Sequence, residues 1–184
     1  MYKFLRYSVV TICLIVIAHS FAAADPSKEQ NMDYMKPYTG SAELEKMKSL
    51  SGTWTGTGMM HGKEVPMTVE YKTTAGGSVV IETMSPETPM EMVSIYYEED
   101  GKLVMKHFCM LKNQPVLGVK NASDNTIEFD FVDGTNMDAS KDMHMHSAVF
   151  TFVDDNTMTQ SWTPYQDGKA AEGTSSVTLS RAQQ

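Results

Sequence analysis

The sequence predicts an all-β domain: an antiparallel barrel of about ten strands with one short helix on its N-terminal side. Three observations predict it. Past Gly52 the chain falls into ten short strand-like runs, with no second helical period among them. Asp, Asn and Gly, which tolerate the left-handed backbone of tight hairpins, separate most of these runs. A meander of so many strands loses its exposed edges only when the sheet closes on itself.

The N-terminus, MYKFLRYSVVTICLIVIAHSFAAADP, opens with Lys3 and Arg6. An apolar run follows from Val9 to Ala18, broken only by Thr11, and Ala22-Ala23-Ala24 offer small residues for cleavage. This predicts a secretory signal peptide over residues 1–24, cut before Asp25, and an exported protein, periplasmic or secreted. The run is short for a transmembrane helix, which needs roughly 20 residues, and no later segment could span a bilayer. Cys13 lacks the preceding small residues that lipoprotein processing needs. Residues 25–40 are polar and carry Pro26, Pro37 and Gly40, which predicts a flexible leader.

The barrel domain then occupies residues 41–184. In SAELEKMKSLSG, Ser41 can cap, Glu43 sits in the first turn, Leu44, Met47 and Leu50 recur at helical spacing, and Gly52 stops the helix. The strand runs are GTWTGTGM, VPMTVEYK, GSVVIETM, PMEMVSIYYE, KLVMKHFCML, PVLGVKN, NTIEFDFV, MHMHSAVFTFV, NTMTQSWTPY and SSVTLSR. Turns fall at Gly76-Gly77, Glu99-Asp100-Gly101, Ser123-Asp124-Asn125, Asp154-Asp155-Asn156 and Asp167-Gly168. The longer stretch from Asp133 to Asp142 reads as a loop at the barrel mouth.

Alternation assigns faces, since successive side chains on a strand point to opposite sides. In KLVMKHFCML, Lys106 faces water, which turns Leu103, Met105, His107, Cys109 and Leu111 inward. In TIEFDFV, Glu128 and Asp130 face out, and Ile127, Phe129 and Phe131 face in. In MHMHSAVFTFV, His144, His146, Ala148, Phe150 and Phe152 share the aromatic face expected inside, and Met143, Met145, Ser147, Val149 and Thr151 share the other. A bulge in any of these strands would reverse part of the assignment.

The formal charge is −8, and −10 once Lys3 and Arg6 are removed. Such a balance suits neither nucleic acid nor an anionic membrane surface. Cys109 is the one cysteine left after cleavage, so no intramolecular disulfide can form. Methionine is abundant, 16 in the whole chain. It fills irregular apolar space, adapts to varied ligands, and is a soft ligand for Cu(I).

The opening LEKMKSLSGTWTGTG resembles the calycin superfamily of lipocalins, fatty-acid-binding proteins and nitrobindin-like barrels. There a short helix leads into G-x-W, and the Trp plugs the closed end of the barrel beneath the ligand cavity. Gly52 and Trp54 match that pattern. ETMSPETPMEMVSIYYEEDGKLVMKHFCMLKNQPVL, and FDFVDGTN followed by HMHS, resemble stretches of exported bacterial proteins described as calycin-like or of unknown function. That likeness covers most of the chain past residue 24 and implies a fold rather than an activity. Met90 and Phe108 depart from it, standing where that pattern often has His and Tyr. Nitrobindin-like proteins bind haem through a His near the C-terminal end. The last His here is His146 and SSVTLSRAQQ has none, so that ligand does not carry over.

Two kinds of chemistry fit these residues. The first is a ligand cavity lined by Met92, Met105, His107, Cys109, Phe129, Phe131, His144, His146, Phe150 and Trp162, with Met and aromatic walls and a few polar anchors. The second is a zinc or copper site in which the i, i+2 pairs His107/Cys109 and His144/His146 converge from neighbouring strands. No C-x-x-C, H-E-x-x-H, G-x-S-x-G or phosphate loop occurs, and Glu82, Glu91 and Asp130 read as outer-face carboxylates. His61 reads as a solvated turn residue. The expectation is an exported, noncatalytic protein holding a small, largely apolar molecule in a calycin-like barrel. It would have no nucleic-acid partner and no stable membrane insertion.

Overall fold

A computed structural model describes residues 35–60 and 63–183. The predicted signal peptide, most of the predicted leader and His61 lie outside the described residues. Among the described residues no helix is long and apolar enough to cross a membrane.

The helix forms where its signals lie. α1 spans Ala42–Lys48, and the Ser41 hydroxyl accepts from the Leu44 N–H at 3.2 Å. Glu43 and Glu45 stand in its first turn and Lys46 and Lys48 in its last, matching the helix dipole. Leu44, Met47 and Leu50 are buried. The described end of the leader is tied down beside α1: the Tyr38 hydroxyl donates to Glu98 at 2.6 Å and Lys48 Nζ to the Tyr38 carbonyl at 2.6 Å.

The strands are β1 (Gly52–Met60), β2 (Lys63–Thr74), β3 (Val79–Met84), β4 (Met92–Glu99), β5 (Lys102–Phe108), β6 (Gln114–Ser123), β7 (Thr126–Thr135), β8 (His144–Asp154), β9 (Thr157–Gln166), β10 (Lys169–Ala170) and β11 (Ser175–Arg181). Each of β1 to β9 pairs antiparallel with the next, β9 pairs with β11, and β11 returns to β1. Ten strands therefore close a ring, and β10 adds a two-residue ladder to the end of β9. Each turn signal of the sequence falls at a junction between strands, with Glu99, Ser123 and Asp154 forming the last residues of β4, β6 and β8. Gly56 sits tight against β11: a Cβ there would lie 1.9 Å from the Thr178 carbonyl oxygen.

The two ends of the barrel differ. α1 closes one, where Leu44, Met47 and Leu50 join Trp54, Phe152, Met158 and Leu179 in a continuous apolar core. The Trp54 indole N–H donates to the Leu50 carbonyl at 2.7 Å, and the Arg181 guanidinium lies 4.3 Å from the indole centroid. Arg181 also donates to the Ser51 and Ser49 carbonyls, each at 2.9 Å, so the last residue of β11 latches the helix C-terminus to the start of β1. Further in, Tyr96, Phe129 and Phe150 pack ring against ring at 5.6–6.2 Å and fill the middle. The opposite end is bounded by the longer connections at 85–91, 109–113, 136–143 and 167–174.

Register overturns part of the face assignment. In β8, Met145 pairs with Pro164 and Ser147 with Thr163, which leaves His146 as an extra, bulged residue. The bulge reverses the alternation, so Met145 points inward and His146 does not. The Ala148, Phe150 and Phe152 face is buried as expected. Leu111 also departs from its assignment. β5 ends at Phe108, and Leu111 is exposed in the following turn.

Candidate functional site

A polar belt crosses the barrel wall between the packed end and the open end. Tyr71 pairs with Glu82, Glu82 with Ser94, and Ser94 with His107, one residue from each of β2, β3, β4 and β5. Directly opposed residues on one face of a sheet lie within side-chain contact, so this register places four polar groups in a row inside the barrel. Glu82 is 0% exposed. Its Oε1 accepts from the Tyr71 hydroxyl at 2.6 Å and from Gln160 Nε2 at 2.5 Å, and its Oε2 accepts from the Tyr96 hydroxyl at 2.7 Å. Gln160 Nε2 also donates to the Tyr71 oxygen. The Trp162 indole N–H donates to Gln160 Oε1 at 3.3 Å, which fixes the orientation of the amide. Burial, then the charge of Glu82, pushes both tyrosine hydroxyls well above their ordinary pKa.

Glu82 corrects the outer-face reading of the sequence. In VVIETM, Val80, Glu82 and Met84 share one face, and Val80 and Met84 are both buried. The alternation that fixes β5 and β7 places Glu82 inside too. A single carboxylate in an apolar strand reads as outer-face only until its i±2 neighbours are counted.

Above the belt lies a cavity of about 230 Å³, open toward the long connections. Its walls carry Met67, Met84, Met92, Met145, Cys109, Trp162, Pro164 and Val177, and its polar groups include His107 and Gln160. Met59, Met90, Met110, Leu111 and Met143 line its mouth, and all five are exposed. His107 is 1% exposed, and burial holds its pKa down to about 4. Its Nδ1 meets Ser94 Oγ at 3.0 Å, and its ring packs on Trp162 at 5.1 Å between centroids. Burial also raises the Cys109 thiol pKa. Cys109 sits in a tight turn whose N–H donates to the Asn113 carbonyl at 3.2 Å. Asn113 Nδ2 in turn donates to the Met143 carbonyl at 2.8 Å, tying that turn to the approach to β8.

The sequence-predicted lining residues divide into three groups. Met92, His107, Cys109 and Trp162 line the cavity. Met105, Phe129 and Phe150 lie deeper, in the packed core, because the aromatic layer around Tyr96 fills that level of the barrel. Phe131, His144 and His146 form a separate cluster outside the cavity lining. There His146 stacks on Tyr165 at 3.6 Å and on Phe131 at 5.3 Å. His144 Nδ1 donates to the Asp142 carbonyl at 2.9 Å, and its Nε2 shares a hydrogen bond with His146 Nδ1 at 3.0 Å. His146 Nε2 then faces Asp130 Oδ1 at 3.8 Å, and Asp130 is paired with Lys120 at 2.8 Å. Burial, then the neighbouring His144, lowers the His146 pKa, and Asp130 works against them.

This placement separates the two pairs of the predicted zinc or copper site. Among the described residues, no group of three or more His, Cys, Asp or Glu side chains is placed to hold one ion. The β8 bulge is the cause on the histidine side, since it turns His146 away from the interior that His107 and Cys109 face.

The whole barrel can be matched to solved structures. The crystal structure of Rv2717c from M. tuberculosis aligns over 79% of this chain and 100% of its own, with a TM-score of 0.55 and 13% identity. The likeness is one of overall fold. A protein of unknown function of the DUF3598 family from Nostoc punctiforme PCC 73102 aligns over 74% of this chain and 49% of its own, at 13% identity and a TM-score of 0.48. A redesigned β-barrel aligns over 74% of this chain and 95% of its own, at 14% identity and a TM-score of 0.34. No protein-family model and no curated protein matches the chain. At 13% identity the likeness to Rv2717c speaks to the fold alone.

Proposed function

We propose that this is an exported, noncatalytic binding protein that holds one small, largely apolar molecule in the open end of its barrel. The observation that carries the reading is the 230 Å³ cavity with methionine and tryptophan walls and one buried imidazole. Its size narrows the ligand. Pockets for drug-sized molecules run from about 300 Å³ upward. An apolar cavity of about 150 Å³ is enough to hold benzene. At about 230 Å³ the space here falls below the first range, which counts against a drug-sized ligand, a fatty acid or a haem and leaves room only for a single ring or a short chain. Unbranched thioether side chains can repack around ligands of different outline, which favours a class of molecules over one shape. Export rests on the N-terminal charge, apolar run and small-residue triplet.

Cys109 provides the test, because it lines the cavity and is its own reporter. The chain from Asp25 onward is incubated with benzene, toluene or phenol, and alkylation of Cys109 is followed at pH 8 alongside thermal unfolding. A saturable slowing of alkylation with a raised Tm is expected. Ligand at about 100 times Kd stabilises by roughly 2.7 kcal/mol. Unchanged alkylation and Tm with every compound would overturn the reading.

A further inference from the structure

The methionines single out one wall of the cavity. Eight of its lining residues are methionine, and two of these stand in register with Cys109. One step toward the open end from the polar belt, Val69 pairs with Met84 and Met84 with Met92. Val93 and Phe108 form the last rung between β4 and β5, so Met92 and Cys109 leave it side by side. Opposed residues on one face of a sheet have Cβ atoms about 4.5–5.5 Å apart, within reach of thioether arms with three rotatable bonds. Met84 and Cys109 are buried, and Met92 packs against the core. The Cys109 turn is held by its N–H on the Asn113 carbonyl and by the Asn113 amide on the Met143 carbonyl. Met67, on the neighbouring strand, is turned aside: its methyl group lies over Gly58, 3.5 Å from where a Cβ would stand.

We propose that the row Met84, Met92 and Cys109 is a site for a soft monovalent metal ion, Cu(I), held by two thioethers and one thiolate. The proposal goes beyond the reading above, giving the same cavity a second kind of occupant. It is also not the site that the histidine pairs would have made: it takes nothing from β8, and two of its three ligands are thioethers. Thiolate and thioether sulfur select Cu(I), where imidazole and carboxylate suit zinc and harder ions. Charge decides between monovalent and divalent. On binding, a copper–sulfur bond forms at Cys109, the S–H bond breaks and its proton passes to solvent. One positive charge replaces another, so Cu(I) with one thiolate and two neutral thioethers carries no net charge. A divalent ion on the same ligands would leave a positive charge in an apolar space, which is costly. Glu172, the carboxylate among the lining residues, belongs to the connection at the rim and not to this row.

The chain from Asp25 onward is loaded with Cu(I) under ascorbate without oxygen, and affinity is measured by competition with the chromogenic chelator bathocuproine disulfonate. The wild-type chain should hold one equivalent, with shifts at the ¹³C-labelled methyl groups of Met84 and Met92. Met84→Leu, Met92→Leu keeps the apolar volume and should weaken the site about tenfold or more. Met47→Leu, Met158→Leu removes as many thioethers from the closed end and should leave affinity unchanged. Undiminished affinity in Met84→Leu, Met92→Leu would assign binding to a bare thiol and overturn the site. Unmoved Met84 and Met92 methyl groups in the wild-type chain would overturn it without reliance on any variant, as would Zn(II) bound as tightly as Cu(I). No Cu(I) uptake while phenol still protects Cys109 from alkylation would overturn the site and leave the cavity reading standing.

Discussion

Replacing Glu82 with Leu removes the acceptor on which the belt converges while keeping the side chain close in size. Three donors then lose their partner: the Tyr71 and Tyr96 hydroxyls and the Gln160 amide. A donor left buried without an acceptor costs about 1–3 kcal/mol. Gln160 retains the Tyr71 oxygen as an acceptor, which leaves the Tyr71 and Tyr96 hydroxyls as the stranded donors. The loss expected is roughly 2–6 kcal/mol, a large part of the 5–15 kcal/mol typical of a domain. Urea unfolding followed by tryptophan fluorescence measures it as a lower midpoint at unchanged slope. The compensated variant Glu82→Leu, Tyr71→Phe, Tyr96→Phe removes the stranded hydroxyls along with their acceptor. It should recover most of the loss, since apolar replacement of both sides of a buried polar contact is often near neutral. A cost below about 1 kcal/mol for Glu82→Leu alone, or a compensated variant no better than the single one, would refute this account of the belt.

Three further outcomes follow from the same coordinates. His107 has a folded pKa of about 4 against the ordinary 6.5, so between those values the unfolded chain binds more protons. Its contribution is complete above pH 6.5 and declines by roughly 3 kcal/mol as pH falls to 4, a dependence that His107→Gln should remove when stability is followed against pH. Trp54→Ala opens the closed end and should cost about 3–5 kcal/mol in denaturant unfolding. Trp54→Phe, losing the Leu50 hydrogen bond and the Arg181 contact, should cost less and leave ligand affinity unchanged at the far end of the barrel. Gly56→Ala drives a methyl group into the Thr178 carbonyl at the β1–β11 seam and should unfold the chain or sharply lower its Tm, with a normal Tm contradicting the described register.

Much of the fold was legible because hairpin chemistry and period-two alternation are local signals. The helix over α1, the turns and the ten closing strands follow from residues a few positions apart. Trp54 at the closed end was an implication of the resemblance to calycins carried by Gly52 and Trp54, and no residue pattern gave it independently. The Arg181 latch was not legible, since it joins residues about 130 positions apart through backbone carbonyls, which leave no trace in side-chain pattern. The site was half legible. Cys109 lines the cavity from the turn that follows β5, whereas His107 follows from strict alternation in an unbulged strand. His146 did not, because one extra residue in β8 reverses the face and nothing in HMHS marks where the bulge falls. Phe129 and Phe150 were placed on the correct face, but alternation carries no depth along the barrel axis and cannot separate a packed layer from a lined cavity. Glu82 was legible from its own strand and was missed because its charge outweighed its neighbours.

The central claim is that a small molecule enters the open end and stops above the aromatic layer. The methionines can report it, since they stand both around the cavity and beneath it. We would label the methionine methyl groups with ¹³C and titrate with phenol. The account predicts saturable shifts at Met84, Met92 and Met145, with Met47 and Met158 at the closed end unmoved. Shifts confined to Met35 or other exposed methionines, or none at all, would contradict it.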